Sequence, residues 1–179
     1  MDLAEQQALV ERARSGQADA WEALYRNVYP RLRAYALSHA DRTQCEDLVN
    51  EALARAVAGV HRFRWEGGGF DAWLFGILRR VCSEHHRRHK RRQPVHPVEA
   101  EEADRSEPGD SIELEDEHAE VRKAFELLRP TERQVLELRV IAGLSVEDAA
   151  FILGKASGAV RAAQSRALAS LRVLMEPQP

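Results

Sequence analysis

Residues 144–174 have the sequence LSVEDAAFILGKASGAVRAAQSRALASLRVL. Apolar positions follow helical spacing on both sides of Gly154, where a turn is expected because glycine ends helices readily. Ser145 and Asp148 have the spacing of an N-terminal capping box for the shorter, first helix. The longer second helix is expected to begin near Ser157. The stretch therefore predicts a helix-turn-helix.

The second of these helices is the one that enters the major groove in DNA-binding helix-turn-helix proteins. Its apolar residues are predicted to face inward: Val160, Ala163, Ala167, Leu168, Leu171 and Leu174. The residues off this stripe are candidates to contact DNA: Arg161, Ala162, Ser165 and Arg166. At the turn, Lys155 and Ser157 are candidates to contact phosphates together with the helix N-terminus. Taken alone, the stretch also fits an ordinary helical hairpin whose arginines are solvated.

The first half of the chain is predicted to be helical as well. Its clearest signal is a run of apolar side chains at three- and four-residue steps: Phe70, Trp73, Leu74, Ile77, Leu78, Val81 and Cys82. This run forms one continuous stripe on a helix. The helix continues into the basic run His85–Arg92, and Pro94 and Pro97 are expected to end it. Earlier in the chain, Pro30 is expected to bend or restart another helix.

An acidic segment separates the two helical regions. Glutamate and aspartate dominate residues 99–117, where large apolar side chains are few. Such a segment buries too little apolar surface to offset the entropy of ordering it. Sustained alternation of apolar and polar residues is missing from the sequence, so strands are not supported. We therefore predict an all-α protein with a helical domain at residues 1–94, a flexible acidic linker at 95–118 and a second helical domain at 119–179.

Cations and aromatic residues are mixed next to the glycine run at residues 67–69, as Arg62, Phe63, Arg64 and Trp65. Cations can hold a single-stranded backbone while aromatic rings stack on unpaired bases. The helical pattern assigns Phe63 to the core more readily than to a contact surface, whereas Trp65 and the arginines are better candidates for contact. The basic helix end adds four further candidates: Arg79, Arg80, Arg87 and Arg88. By itself this basic run also fits a solvated helix end.

No catalytic site, metal site or cofactor is predicted. A zinc site could use Cys82, His85, His86 and His89, but the cysteine belongs to the apolar stripe and the neighbouring arginines would repel a cation. The sequence has no phosphate-binding glycine loop, nucleophile elbow or pair of catalytic carboxylates. It also lacks a secretion signal and any apolar stretch near the roughly 20 residues that span a bilayer. We therefore expect a cytoplasmic protein with reduced cysteines and no membrane insertion.

Four motifs follow one another along the chain: residues 20–25 (AWEALY), 45–51 (CEDLVNE), 70–77 (FDAWLFGI) and 144–154 (LSVEDAAFILG). In this order, and around an acidic linker, they resemble the bacterial RNA polymerase sigma factors, specifically the small extracytoplasmic-function group. The first resembles the family's first conserved helix pair, and the second its polymerase-docking motif. The third resembles the promoter-melting helix, and the fourth the domain that recognises the upstream promoter element.

The resemblance implies a factor that docks on the β and β′ subunits of core RNA polymerase and directs promoter-specific initiation. Docking would use Asp47, Leu48, Asn50 and Glu51, with the leucine as an apolar anchor. The loop from Phe63 to Gly69 would capture a base flipped from the downstream promoter element. The acidic linker would follow the RNA exit path, and the last helix would bind the upstream element as a duplex. An anti-sigma protein is a further expected partner.

Four positions depart from the pattern of this family. Arg80 stands where asparagine is frequent, and Glu84 where aspartate is frequent. In the last helix, Ala162-Ala163 replaces a frequent Ser-Arg pair. Alanine can touch a thymine methyl group but cannot form a bidentate hydrogen bond with a base. We therefore expect altered recognition of the upstream element and assign no promoter consensus.

Three other functions were compared with this interpretation. A polymerase-independent helix-turn-helix regulator shares the C-terminal pattern, but the first half lacks the alternating strands and clustered aspartates of a receiver domain. A helical enzyme would have to use His85, His86 and His89. A metal assay on the purified protein would show whether these histidines hold a metal ion. A protein-binding adaptor would leave the mixture of cations and aromatic residues unexplained.

Overall fold

The computed structural model describes residues 1–65, 68–92 and 120–176, and the chain forms two compact units, Met1–Asp104 and Arg105–Pro179. Every regular element among the described residues is helical, which confirms the all-α prediction. The acidic linker predicted at 95–118 lies outside the described residues, as do the two prolines predicted to end the helix before it.

The described part of the first unit consists of α1 (Leu3–Arg14), α2 (Ala18–Leu37), α3 (Arg42–Gly59), a 3-10 turn (Val60–Arg62) and α4 (Phe70–Arg92). Aspartate side chains cap two of these helices. Oδ1 of Asp2 accepts a hydrogen bond of 2.8 Å from the backbone N–H of Glu5, and Oδ1 of Asp41 accepts one of 2.8 Å from that of Gln44. Each bond satisfies a backbone donor that has no partner within the helix, which fixes where the helix begins.

Pro30 lies inside α2, and the helix is not restarted there. That part of the expectation was wrong. Val28 and Leu32 on either side of it are 1% and 0% exposed. Their burial favours the continuous helix strongly enough to outweigh the hydrogen bond that proline cannot donate.

The apolar stripe of α4 forms the centre of the first unit. Phe70, Leu74 and Leu78 are each no more than 1% exposed, as the spacing predicts. Phe75, which lies off that stripe, is also fully buried, because its ring packs edge-on against Tyr35 of α2 with centroids 5.8 Å apart. The helix is therefore buried on a wider face than its three- and four-residue spacing indicated.

The described part of the second unit consists of α5 (residues 120–126), α6 (Pro130–Leu136), a π-helical segment (Glu137–Ile141), α7 (Val146–Leu153) and α8 (Ser157–Met175). The predicted signals are found at the helix ends. Pro130 is the first residue of α6, and the Ser145 hydroxyl accepts a hydrogen bond of 3.0 Å from the backbone N–H of Asp148. Gly154 adopts φ +62°, which few residues other than glycine do without strain. The helix-turn-helix is confirmed.

The inner stripe predicted for α8 is only partly correct. Val160, Ala163 and Ala167 are buried, and Ala167 packs with Leu128 and Leu136. However, Leu168 and Leu174 are 48% and 42% exposed. The short helices that precede α8 cover its inner face but leave these two leucines uncovered.

Candidate functional site

The predicted docking motif lies on α3. The face of this helix on which each residue lies determines what that residue can contact. Asp47 and Asn50 are exposed. Leu48 is only 3% exposed, so little of its side chain is accessible for the predicted role of apolar docking anchor. Leu48 lies on the inner face of the helix with Cys45 and Val49, where it stabilises the unit. The exposed surface of the motif is therefore polar and acidic.

Glu51, the fourth residue of that motif, belongs to an ion-pair network between α3 and α4. Nη2 of Arg55 lies 2.6 Å from Oε1 of Glu51 and 2.6 Å from Oε2 of Glu84. Nη2 of Arg88 lies 3.8 Å from Oε2 of Glu51. The hydrogen bond from Arg55 lowers the pKa of Glu84, and the positive charges of Arg55, Arg88 and Arg87 add to that effect. The network therefore joins the predicted docking motif to the basic end of α4.

Phe63 and Trp65 occupy different environments in the loop that precedes α4. Phe63 is 2% exposed, with ring centroids 5.7 Å from Phe70 and 5.2 Å from Trp73, so it lies in the core rather than among the exposed candidates for DNA contact. Trp65 is half-buried and lies edge-on to Phe63 at 4.9 Å. The Phe63 ring thus supports the Trp65 ring, which is partly exposed and available for contact.

The cations that flank this loop lie at the surface. Arg62 and Arg64 are exposed, and Nη1 of Arg64 donates a hydrogen bond of 3.1 Å to the carbonyl oxygen of Phe63. On α4, Arg80, Arg87 and Arg88 are exposed and Arg79 is half-buried. Arg62 and Arg64 therefore place positive charge next to Trp65 along the chain, and the arginines of α4 form a second basic surface farther along that helix.

The sequence did not indicate that α1 holds both ends of the loop. Nε of Arg14 donates a hydrogen bond of 3.2 Å to the carbonyl oxygen of Val60, and its Nη2 donates to the carbonyl oxygen of Phe63. At the other end, Nε2 of Gln6 donates a hydrogen bond of 2.8 Å to Oδ1 of Asp71. These contacts join residues 46 to 65 positions apart, so no local pattern could reveal them. The four-residue spacing of Gln6, Val10 and Arg14 on one helix face was the available signal.

Two histidine rings lie close together on the basic end of α4. The ring centroids of His85 and His89 are 4.4 Å apart. Partial burial lowers the pKa of His85, and the positive charges of His89 and Arg88 lower it further. Within the described ranges, no three His, Cys, Asp or Glu side chains converge on a possible metal position.

The candidate contacts of the helix-turn-helix are displayed on the outer face of α8. Arg161, Ala162, Ser165 and Arg166 are exposed, Lys155 before the helix is exposed, and Ser157 is half-buried. Ala163 is 2% exposed, so the departure at Ala162-Ala163 alters only one outward position. Ala163 lies where α8 meets the helices beneath it. Its departure from the family pattern therefore affects packing rather than base contact.

Carboxylates on other helices hold the two arginines of this face. Nη2 of Arg161 lies 2.9 Å from Oε1 of Glu147 on α7. Nε of Arg166 lies 3.7 Å from Oε1 of Glu132 on α6, a residue that is only 5% exposed. Sequence reasoning missed both partners, since each lies more than ten residues away along the chain.

Arg139, in the π-helical segment, also helps to orient α8. Its Nε donates a hydrogen bond of 3.1 Å to Oε1 of Gln164, and its Nη1 donates to the carbonyl oxygen of Leu144. The same side chain thus contacts α8 and the loop that leads into α7. This pair of bonds fixes α8 relative to the loop before α7, the first helix of the helix-turn-helix.

A groove of about 460 Å³ lies between the end of α5 and the end of α8. Its lining includes Leu127, Val173 and Leu174, which are 71%, 65% and 42% exposed. Arg129 and Glu132 also line this open groove, so its surface is only partly apolar. Among the described residues, no helix is both long enough and apolar enough to cross a membrane.

Two family descriptions match the chain, and each falls within one of the two units. Sigma-70 region 2 matches residues 24–92, which include the docking motif, the loop and α4. Sigma-70 region 4 matches residues 118–171, which include the helix-turn-helix.

Similar proteins match over most of the chain. The ECF RNA polymerase sigma factor EcfG of Rhodopseudomonas palustris is 39% identical over 151 residues, which cover 82% of this chain and 80% of that protein. The ECF RNA polymerase sigma factor BldN of Streptomyces coelicolor is 33% identical over 178 residues, which cover 97% of this chain and 67% of that protein.

Solved structures show a similar arrangement of helices. CnrH, in complex with the cytosolic domain of CnrY, has a TM-score of 0.74 and 25% identity, with 96% of this chain and 97% of that chain covered. The sigma factor RpoE, in complex with the anti-sigma factor NepR from Bartonella quintana, has a TM-score of 0.64 and 29% identity, with 88% and 98% covered.

Proposed function

The chain belongs to the extracytoplasmic-function sigma factors of RNA polymerase, and from this premise we propose how its described surfaces divide the recognition of a promoter. As a sigma factor, it binds core RNA polymerase and directs promoter-specific initiation of transcription. The observation that carries this function is the match of both sigma regions, in order, to one chain. It acts as a specificity subunit rather than as an enzyme, and it works in the cytoplasm, where bacterial RNA polymerase transcribes.

The outer face of α3 is the proposed docking surface for the polymerase. Asp47 and Asn50 are exposed there, and Glu51 lies beside them in its ion pair with Arg55. Since Leu48 is buried, docking on the β′ subunit relies on polar and acidic contacts. Such contacts fix the register of an interface more than they add affinity.

The loop before α4 is the proposed site of strand opening. Trp65 would stack on or enclose a base flipped from the downstream element, while Arg62 and Arg64 hold the adjacent backbone. The arginines of α4, from Arg79 to Arg88, would guide the same strand past the helix. Flipping a base costs a few kcal/mol, so opening is favoured only at promoters whose base fits.

The outer face of α8 is the proposed contact surface for the upstream element. Arg161, Ala162, Ser165 and Arg166 would face the major groove, and Lys155 and Ser157 would contact phosphates at its edge. The acidic segment at 95–118 would connect this unit to the first along the RNA exit path. Its negative charge suits a channel that normally holds nucleic acid.

An anti-sigma protein is a further proposed partner. The solved relative RpoE binds the anti-sigma factor NepR, and CnrH binds the cytosolic domain of CnrY. In the second unit, the groove lined by Leu127, Val173 and Leu174 offers apolar surface that a partner helix could cover.

Transcription with purified core polymerase across a library of promoter sequences tests the proposal. The full chain should add initiation at a defined subset of promoters, and no added initiation would contradict the proposed function. Asp47→Arg should abolish core binding in a pull-down, because it reverses a charge on the docking surface. Glu22→Arg is the comparison variant, since Glu22 is an exposed acid on α2 rather than on α3 and pairs with Arg26. Equal loss of binding in both variants would count against docking through α3.

A further inference from the structure

The functions proposed above give no role to helix α1. The Sigma-70 region 2 match begins at residue 24, whereas α1 covers Leu3–Arg14. Its position is nevertheless well defined, because Val10 is 0% exposed and Ala13 is 2% exposed. One face of the helix therefore packs into the first unit and directs nearby polar side chains toward the loop before α4.

Arg14, at the end of α1, contacts the beginning of that loop. Its guanidinium donates to the carbonyl oxygens of Val60 and Phe63, and it lies 5.8 Å from the centre of the Phe63 ring. The side chain is only 23% exposed, so these bonds are partly shielded from water. The two carbonyls belong to the 3-10 turn and the residue after it, where helical geometry supplies few partners.

Gln6, two turns earlier on the same helix, contacts the other end of the loop. Its amide donates to Oδ1 of Asp71, the second residue of α4. Arg31 of α2 donates to the other carboxylate oxygen of Asp71, whose side chain is 20% exposed. Gly69 lies beside Gln6, since a Cβ atom at Gly69 would be 3.8 Å from Oε1 of Gln6. The entry to α4 is thus held by two helices.

We propose that α1 positions the strand-opening loop, with Arg14 and Gln6 fixing its two ends so that Trp65 is presented to the flipped base. Holding the backbone at Phe63 and the start of α4 from a single helix restricts the directions in which the neighbouring Trp65 can be presented. A base site that is already ordered loses less entropy when it binds. Arg14 and Gln6 are therefore positioning residues, which act on base selection without touching DNA. This inference rests on the proposed function of the loop.

The test measures base discrimination by the complete holoenzyme. Open-complex formation is compared between a preferred promoter and promoters substituted at each position of the downstream element. Arg14→Ala should lower this discrimination by about tenfold at one position, the effect of losing a hydrogen bond to a charged group. Its affinity for core polymerase should stay unchanged. Arg14→Lys should recover part of the discrimination, because an ammonium group can reach one carbonyl but not both in the same geometry.

Arg12→Ala is the matched control. Arg12 lies on the same helix and carries the same charge, but it pairs with Asp19 and Gln17 at the turn into α2. It should keep full discrimination. If Arg12→Ala loses as much as Arg14→Ala, general loosening of α1 explains the effect and the inference fails. Full discrimination by Arg14→Ala would overturn it directly.

Two further variants complete the test. Gln6→Ala should lower discrimination in the same direction as Arg14→Ala, and it provides an independent result if Arg14→Ala folds poorly. Trp65→Ala tests the proposed function separately. If Trp65→Ala loses discrimination and neither α1 variant does, only the inference is wrong. If Trp65→Ala keeps it, the base-capturing function of the loop is wrong and the inference falls with it.

Discussion

Nη2 of Arg161 on α8 lies 2.9 Å from Oε1 of Glu147 on α7, so a carboxylate of the preceding helix holds the cation proposed to contact the upstream element. The two side chains are 62% and 63% exposed. Exposed pairs of this kind contribute at most about 1 kcal/mol to stability. The pair therefore matters more for the direction of the guanidinium group than for the fold.

Arg161→Ala should weaken binding of an upstream-element duplex by about 1–3 kcal/mol if the guanidinium contacts a base. Fluorescence anisotropy with labelled duplexes of the preferred and substituted sequences measures this loss. Arg172→Ala is the control, because Arg172 is exposed in the last turn of the same helix. The base contact is refuted if both variants lose the same affinity on every sequence, which would indicate only a general charge effect.

Replacing Phe63 and Trp65 by alanine should lower the stability of the protein by different amounts. Phe63→Ala removes a buried ring that contacts Phe70 and Trp73, and should lower the free energy of unfolding by about 3–5 kcal/mol. Trp65→Ala removes a half-buried ring and should cost clearly less stability. Urea unfolding of the full chain gives both values, and a larger loss for Trp65→Ala would contradict the assignment of Phe63 to the core.

Arg55 should neutralise the carboxylate of Glu84 beside the basic end of α4. Arg55→Ala leaves that carboxylate without its 2.6 Å partner, so its negative charge should repel DNA and lower affinity about threefold, the scale of one exposed ion pair. Adding Glu84→Gln to this variant should restore affinity, because the repelling charge is then gone. A double variant that binds no better than Arg55→Ala would show that Arg55 acts through structure alone.

His85 should make the first unit less stable in mild acid. Burial is the largest cause that lowers its pKa, and His89 and Arg88 add to it, while the carboxylates of Asp41 and Glu51 on α3 oppose them. The folded protein thus favours neutral His85. The stabilisation is complete above the unfolded pKa, about 6.5, and is lost as the pH falls below that value.

We therefore expect the Tm of the first unit to fall on acidification from about pH 7.5 to about pH 5.5, and to fall less in His85→Gln. His61→Gln is the control, because His61 is an exposed histidine of the same unit. Identical pH dependence in His85→Gln and the unchanged protein would rule out His85 as the cause.

The helices and their ends were predictable because their signals are local. Ser145, Pro130 and Gly154 act within one or two turns of the chain, and all three have the predicted roles. The helix-turn-helix and the stripe of α4 followed from the same short-range spacing. The all-α class was therefore readable without any knowledge of tertiary contacts.

Burial of single residues was less predictable, because it depends on which elements cover a given face. Leu48 lies within an acidic motif yet is buried, and Leu168 continues an apolar stripe yet is 48% exposed. The contacts of Arg14 and Gln6 with the loop were invisible for a related reason. Polar side chains pair across long sequence distances, and hydrophobic periodicity carries no information about such pairs.

The exposed methyl group of Ala162 leaves a vacant position in the surface proposed to contact the upstream element. A longer side chain placed there would add a contact without removing an existing one, and the buried neighbour Ala163 would keep the helix in place. In a synthetic regulator, a longer side chain at position 162 would therefore extend the factor's range to artificial promoters that offer the added contact.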